Sequence, residues 1–238
     1  MEVKVTSNDG FAARAADYVE AAIDSQSVRN LCFPTGDTPQ PMYRELVRRF
    51  ERGELSFAKA HAFGLDEWGD LSVDDSSRCI ARLRQELYDL VDLPASQIHY
   101  LEPNHSNVAQ MCRQYEDEIS ACGGLTLSIV GIGLNGHVGF NEPGSQVTDG
   151  TRVVPLAART KQVASKYNLG MIPDWGVTMG LATLLASQQV LILATGEHKA
   201  SIVRDLLQAE PSEQLPASWF LRHPQCVLLL DEGAASEL

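Results

Sequence analysis

The sequence of 238 residues has little positive charge. It contains 19 Lys and Arg against 31 Asp and Glu, which gives a formal net charge of −12 at pH 7. Nucleic acids and anionic membrane surfaces attract proteins through clustered Lys and Arg, so this balance disfavours both partners. An anionic small molecule remains a suitable ligand, because backbone N–H groups and a few well-placed cations can bind it locally.

Long apolar runs and paired cysteines are also missing. No apolar stretch approaches the roughly 20 residues that cross a bilayer, and the first residues lack the charged start, apolar centre and cleavage site of a secretory signal. An odd number of scattered cysteines without a CxxC pair indicates reduced, mostly buried thiols and hence a cytoplasmic protein. These cysteines are Cys32, Cys79, Cys112, Cys122 and Cys226.

No repeat, low-complexity tract or linker rich in Pro, Gly or Ser divides the sequence, so we expect one domain over residues 1–238. Short apolar runs predict buried strands at 31–33, 61–65, 125–132, 190–194 and 226–230. Apolar residues at helical spacing predict helices at 11–23, 41–50, 80–90, 108–119, 180–186 and 199–207. The alternation of the two patterns indicates an α/β fold of three layers, with a mostly parallel sheet and helices on both faces.

Ligands of such sheets bind at the carboxyl ends of the strands. The first strand end with suitable chemistry carries Thr35, Gly36, Asp37 and Thr38, followed by Pro39. Glycine allows close approach of the backbone, the hydroxyls add donors, and the N–H groups of a helix start favour a phosphate. The alternative is an ordinary turn in which Thr38 caps the helix and Pro39 occupies its first position.

The second strand end carries two adjacent carboxylates, Asp66 and Glu67, before Trp68. Carboxylates that lie together at the buried end of a strand repel one another and resist ionisation, which is how a general base is tuned. The alternative is an acidic pair at the start of a helix, with Trp68 in the core.

The third strand end is a glycine-rich loop, Gly131 to Gly144, that contains His137 and Glu142. A carboxylate beside an imidazole fixes its tautomer and raises its basicity, so such a pair can move a proton near neutral pH. The alternative is a solvated or structural loop histidine. Zinc is disfavoured at His137, since neither HExxH nor paired His/Cys spacing accompanies it.

The order and spacing of five motifs resemble the glucosamine-6-phosphate deaminase and isomerase family over nearly the whole chain. The motifs are TGxTP at 35–39, LDEW at 65–68, GIGxNGHxGFNEPG at 131–144, TMG at 178–180 and TGxxK at 195–199. The resemblance implies a modified Rossmann topology, no metal and no organic cofactor. It also implies a sugar-phosphate substrate and a monomer or small homo-oligomer.

The resemblance further implies roles for individual residues. Asp66 corresponds to the base that moves a proton between C2 and C1 of the open-chain sugar, while His137 and Glu142 correspond to the pair that opens the sugar ring. Asn135 corresponds to a family Asp or Asn, and an amide there can orient His137 without adding charge.

The same resemblance implies a substrate-binding set. The turn from Thr35 to Thr38 and Lys199 correspond to the phosphate site, and Lys166 stands where many members have a phosphate-binding arginine. Glu67 and Gly136 belong to the same set.

The function that the resemblance implies is deamination and isomerisation of glucosamine 6-phosphate to fructose 6-phosphate and ammonia. Three alternative functions remain open. Trp68, Cys79 and the segment from Leu156 to Thr160 resemble the galactosamine-6-phosphate branch of the family. The related 6-phosphogluconolactonases share the acidic pair and a similar histidine loop but continue differently after the histidine. A sugar-phosphate sensor without turnover is the third possibility, although such regulators usually carry a DNA-binding segment and this chain is acidic.

Overall fold

The computed structural model describes residues 1–25, 29–158, 160–161 and 172–238. Its strands are β1 Glu2–Val5, β2 Asn30–Phe33, β3 His61–Gly64, β4 Asp66–Trp68, β5 Ile98–His99, β6 Leu127–Gly131, β7 Arg152–Pro155, β8 Trp175–Thr178, β9 Gln189–Ala194 and β10 Cys226–Leu230. Its helices are α1 Phe11–Ser25, α2 Gln40–Glu51, α3 Cys79–Glu86, α4 Val108–Ala121, α5 Leu181–Leu185 and α6 Ala200–Gln208. Short 3₁₀ helices cover Tyr88–Leu90, Ala95–Gln97, Glu197–Lys199 and Pro216–Arg222.

Seven strands form the main sheet in the order β1-β10-β9-β6-β2-β3-β5, and every neighbouring pair in it is parallel. Strands β2, β6, β9 and β10 are buried almost throughout, because both faces of the sheet are covered. This explains why they are continuous apolar runs in the sequence. The predicted α/β class with a mostly parallel sheet is confirmed.

Alternate residues of the strands pack into two separate cores. Leu31 and Phe33 of β2 face a core that includes α1, α2 and α3, whereas Cys32 between them faces a core that includes α4, α5 and α6. Successive side chains of a strand point to opposite faces, so one sheet serves both helical layers. The three-layer arrangement follows from this alternation.

A second sheet of three antiparallel strands, β4-β8-β7, lies against the carboxyl edge of the main one. A single residue, Leu65, separates the end of β3 from the start of β4. Its N–H donates a hydrogen bond to the Phe33 carbonyl in the main sheet, and its own carbonyl accepts one from the Met179 N–H just after β8. The short strand β4 therefore brings Asp66 to the end of β3.

Two structural interpretations that the sequence allowed are wrong. Asp66 and Glu67 do not begin a helix but lie in β4, where Asp66 pairs with Thr178. Helix α2 has Pro39 as its N-cap residue, with no side-chain capping bond, so Thr38 does not cap it.

The predicted helix over 80–90 is also interrupted. Leu87 has φ −148° and ψ −59°, so α3 ends there and a 3₁₀ turn follows. Within the described residues, no helix combines the length and the apolar character needed to cross a membrane.

Candidate active site

A cleft of about 350 Å³ opens at the carboxyl edge of the main sheet. Its walls come from the loops that follow β2, β6 and β9, and from β4. Small-molecule sites are usually clefts of roughly 300–1,000 Å³, so the cleft has room for a phosphorylated hexose. The predicted site residues that line it are Thr35, Gly36, Asp37, Thr38, Asp66, His137 and Lys199.

Asp66 is partly accessible from the cleft and otherwise surrounded by protein. Burial is the main cause that raises the pKa of Asp66 to about 7, and the negative charge of the neighbouring Glu67 adds to it, while a hydrogen bond with Cys79 acts in the opposite direction. A carboxyl group with this pKa holds or releases a proton near neutral pH, as a general base should.

Glu67 points away from the cleft and is almost completely buried. Its carboxylate accepts the backbone N–H groups of Trp68, Cys79 and Ile80 at 2.8–3.1 Å, two of which open helix α3. The buried Arg78 guanidinium lies 3.4 Å from the same carboxylate. The sequence predicts that Glu67 binds substrate, but this side chain does not line the cleft. It joins β4 to α3 through its hydrogen bonds, and its charge raises the pKa of Asp66.

His137 forms a compact network with Asn135 and Glu142. Its Nδ1 lies 2.7 Å from Asn135 Oδ1 and 3.4 Å from Glu142 Oε2, and the Asn135 amide donates to Glu142 at 2.9 Å. Two oxygen acceptors around Nδ1 place the ring proton on that nitrogen. Nε2 is then the nitrogen that can exchange a proton with a bound molecule.

Glu142 is held in its ionised form. Burial opposes ionisation, but the hydrogen bond and charge of His137, together with hydrogen bonds from Thr160 and Asn135, lower the pKa of Glu142 to about 2. The carboxylate therefore stays negative at neutral pH and can stabilise a positive charge on the imidazole. The loop thus holds an imidazole with a permanent counter-charge at the cleft wall.

Two glycines of this loop allow it to pack closely. A Cβ at Gly133 would lie within 2.5 Å of the His137 ring, so only glycine permits the ring to lie over this backbone. Gly139 has φ +57°, and a Cβ there would come within 2.8 Å of Thr178 Oγ1 and 3.5 Å of Asp66 Oδ2. The loop can consequently approach β4 and share one cleft with Asp66.

The turn after β2 forms another wall of the cleft. Gly36 has φ +121°, a value that favours glycine, and the turn leads directly into helix α2. Asp37 is exposed at the rim, whereas Thr38 lies 3.5 Å from Thr195 of the loop after β9. Backbone N–H groups at a helix start favour an anion, so this turn is suited to a phosphate.

Lys199 brings a cation to the same cleft. It ends the 3₁₀ turn that precedes α6, and its Nζ donates to the Ile132 carbonyl at 2.6 Å. The positive φ of Gly196 and the bonds from its N–H to Asp231 fix the start of this loop. The ammonium is held where strands β6 and β9 end.

Four other predicted residues are not shown at the cleft. Asn135 and Glu142 do not line it and act on His137 from behind. Gly136 has φ +79° and does not line it; a Cβ there would lie 2.1 Å from Leu215, so this glycine permits packing behind the loop. Lys166 lies outside the described residues, as does Arg159.

Sequence reasoning did not assign a role to Thr160 or anticipate how Cys79 is used. Thr160 donates to Glu142, and Cys79 contacts both Thr35 and Asp66. Both residues lie outside the motifs they touch, Thr160 at 18 residues from Glu142 and Cys79 at 44 residues from Thr35, and neither lies in a periodic or glycine-rich pattern. Only their contacts in the fold reveal them.

An α/β protein with a tuned carboxylate, an imidazole–carboxylate pair and an anion-binding turn around one cleft has the features of an enzyme that moves protons on a small anionic substrate. The chain belongs to the family of glucosamine-6-phosphate isomerases and 6-phosphogluconolactonases, whose sequence model matches residues 5–228. The family resemblance inferred from the motifs is confirmed.

Individual relatives agree with this assignment. The glucosamine-6-phosphate deaminase of Arthrobacter sp. (strain FB24) is 35% identical over 95% of this chain and 88% of its own length. That of Corynebacterium aurimucosum is 35% identical over 100% of this chain and 94% of its own.

Solved structures match as well. A monomeric glucosamine-6-phosphate deaminase, 32% identical, superposes with a TM-score of 0.96 over the full length of both chains. The 6-phosphogluconolactonase of Thermotoga maritima is 20% identical, and its TM-score of 0.77 over 97% of this chain and 98% of its own shows the shared fold alone.

Proposed function

We propose that this chain is a glucosamine-6-phosphate deaminase, which converts glucosamine 6-phosphate and water to fructose 6-phosphate and ammonia. The relatives that match nearly its full length at about 35% identity carry this activity in their names. The observation that carries the proposal is that Asp66 and His137 line one cleft, with Glu142 beside the His137 imidazole. The raised pKa of Asp66 supports it.

Ring opening is the first step. The pyranose form has no free carbonyl, so its C1–O5 bond must break while O5 gains a proton and the C1 hydroxyl loses one. His137 moves a proton at O5 through Nε2, since Nδ1 is engaged by Asn135 and Glu142. The ionised Glu142 stabilises the imidazolium during this transfer.

Isomerisation and deamination follow. Asp66 removes the proton on C2 of the open-chain aldehyde while O1 gains a proton, which gives an enolamine. Asp66 then returns a proton to C1 while the nitrogen loses one. The product is a C2 imine with a C1 alcohol. Water adds to that imine and ammonia leaves, so the reaction consumes one water and needs no oxidant. A carboxylate with a pKa near 7 is a stronger base than an ordinary one and suits this carbon acid.

The phosphate binds at the opposite end of the substrate. The turn from Thr35 to Thr38 supplies N–H and hydroxyl donors, and Lys199 supplies a positive charge. An ammonium acts here as a point charge on a phosphate dianion. The acidic chain can therefore bind an anionic sugar through local groups alone.

The decisive experiment compares substrates. The purified protein is incubated with glucosamine 6-phosphate and galactosamine 6-phosphate, ammonia release is measured, and the Asp66→Asn variant serves as the blank. We expect release from glucosamine 6-phosphate with the higher kcat/KM. No release from either sugar would refute the proposal, and preference for the other epimer would assign the chain to the galactosamine branch that Trp68 and Cys79 resemble.

A lactonase and a sensor are tested in the same preparation. Hydrolysis of 6-phosphogluconolactone faster than deamination would indicate a lactonase, and tight binding of sugar phosphate without turnover would indicate a sensor. The matching structure of a monomeric deaminase supports a monomer, which sedimentation velocity can test. The free thiols of the five cysteines support the cytoplasm as its location.

A further inference from the structure

A second group of side chains, of types that can bind a metal ion, lies away from the cleft. In the described parts of the chain, His61, His99 and Cys122 are grouped so that one ligand atom of each lies within 4.8 Å of the others. His61 begins β3, His99 ends β5, and Cys122 is the C-cap residue of α4. Three elements that are distant in sequence therefore meet at this point.

The register of the sheet explains why the histidines are neighbours. Phe63 pairs with His99 in the parallel β3–β5 ladder, and His61 lies two residues before Phe63, on the same face. The Phe63 and His99 rings stack with centroids 4.3 Å apart and planes 8° apart. This stacking fixes the plane of the His99 imidazole and directs its Nε2 toward His61.

Two of the three distances between the ligand atoms are close to those of a metal site, and the third, from His99 Nε2 to Cys122 Sγ, is within 4.8 Å. His61 Nδ1 lies 3.1 Å from His99 Nε2 and 3.8 Å from Cys122 Sγ. A tetrahedral zinc ion, with Zn–N bonds of about 2.0–2.1 Å and a Zn–S bond of about 2.3 Å, separates two nitrogens by about 3.4 Å and a nitrogen from a sulfur by about 3.6 Å. Both observed distances lie within about 0.3 Å of these values, which small side-chain rotations can supply.

A carboxylate lies behind one of the ligands. Glu118 Oε2 is 3.0 Å from His99 Nδ1, so this nitrogen carries the proton and Nε2 presents its lone pair to the cluster. Carboxylate–histidine–zinc arrangements of this kind orient the imidazole and raise its basicity. All three ligand residues are partly exposed, so an ion can enter from solvent and keep a water as its fourth ligand.

We propose that His61, His99 and Cys122 form a zinc-binding site that ties β3, β5 and the end of α4 together. Two imidazoles and a thiolate favour zinc over calcium or magnesium, which take oxygen ligands. Binding releases the thiol proton of Cys122 to solvent. The site lies at the amino end of β3, about 16 Å along the chain from Asp66 at about 3.3 Å per residue, and so stabilises the fold without entering the reaction.

The test uses the full-length protein, stripped with a chelator and titrated first with zinc chloride by calorimetry and then with cobalt chloride by absorption. We expect one zinc ion per chain, a melting temperature raised by zinc, and a cobalt spectrum with tetrahedral d–d bands and a thiolate-to-cobalt charge-transfer band. Cys122→Ser should abolish that band and His61→Ala should abolish stoichiometric binding. Glu118→Gln should weaken zinc binding by about 10–100-fold.

His105→Ala is the matched control, because His105 lies in an exposed loop outside the cluster and should leave zinc binding unchanged. Absence of stoichiometric zinc binding by the unmodified protein would overturn the proposal. So would binding that survives Cys122→Ser unchanged, since the ion would then lie elsewhere. If a ligand variant does not fold, two other measurements test the proposal. The unmodified protein must show the thiolate-to-cobalt charge-transfer band, and Glu118→Gln must bind zinc more weakly than the unmodified protein.

Discussion

The folded protein disfavours a negative charge on Asp66, because the carboxyl group is buried beside Glu67. Replacing Asp66 with asparagine removes this charge, so the variant should be more stable to unfolding although it loses activity. The amide has nearly the same shape as the carboxyl group but cannot accept the C2 proton. Without the general base, we expect kcat for deamination to fall by about 10²–10⁴-fold or more. Sugar-phosphate binding should remain, because the phosphate turn and Lys199 are untouched.

The stability effect has a defined sign and pH range. The pKa of Asp66 is about 7 in the fold against an ordinary value of 3.8, so the folded state binds this proton more tightly than the unfolded state does. The unmodified protein therefore loses stability as the pH rises from about 4 to about 7. Each pKa unit corresponds to about 1.4 kcal/mol, so the loss is at most about 4 kcal/mol, and water in the cleft reduces it.

Urea unfolding followed by circular dichroism measures the difference. Relative to the unmodified protein, Asp66→Asn should gain on the order of 2–4 kcal/mol between about pH 4 and about pH 8. Asp37→Asn changes an exposed carboxylate at the rim of the same cleft and should show little such gain. A difference between Asp66→Asn and the unmodified protein that does not change with pH would refute the reasoning, as would a variant that still releases ammonia at a substantial rate.

Three further predictions concern the other site residues. His137→Gln should lower kcat by on the order of 10²-fold while leaving the Kd of an acyclic amino-hexitol phosphate unchanged; weaker binding of that ligand would contradict a ring-opening role. Glu67→Gln should lower the free energy of unfolding by about 1–3 kcal/mol, because an amide has one acceptor oxygen for the three backbone N–H groups that the two carboxylate oxygens accept, whereas an effect confined to KM would indicate substrate contact. Lys199→Gln should raise KM about 10–100-fold with little change in kcat, since it removes one charge-assisted hydrogen bond; an unchanged KM would remove Lys199 from the phosphate site.

Much of the main sheet could be predicted because its strands are buried on both faces. Residues 226–230 and 190–194 are apolar without interruption, and the structure has strands over Cys226–Leu230 and Gln189–Ala194. The edge strand β1 and the two-residue strand β5 give no such signal, since β1 is exposed and β5 is too short to show a period. Both are strands because they pair with a neighbouring strand, β1 with β10 and β5 with β3.

The antiparallel sheet of β4, β8 and β7 was missed for a related reason. Its strands contain three or four residues each, and β4 holds Asp66 and Glu67, residue types that are depleted in strands. Tertiary pairing with Thr178 overrides that local preference. This pairing is also what separates the two carboxylates, with Asp66 on the cleft and Glu67 in the protein interior.

The residues of the candidate site were visible in the sequence wherever glycines and strand ends mark a loop. The loop from Gly131 to Gly144 shows this for His137 and Glu142. Contacts between separate segments were not visible. The sequence could not show that Thr160 bonds to Glu142, nor that His61 and His99, 38 residues apart, touch across two strands. Such contacts depend on register and packing, which a single sequence does not display.

The most direct test of the central claim is the titration of the Asp66 carboxyl group itself. Carbon-13 NMR of protein labelled at aspartate side-chain carboxyls, compared with Asp66→Asn to assign the signal, gives its pKa in the folded state. A buried carboxyl group beside Glu67 should titrate with a midpoint near pH 7. A midpoint near the ordinary value of 3.8 would contradict the account, because Asp66 would then be a carboxylate with no special basicity.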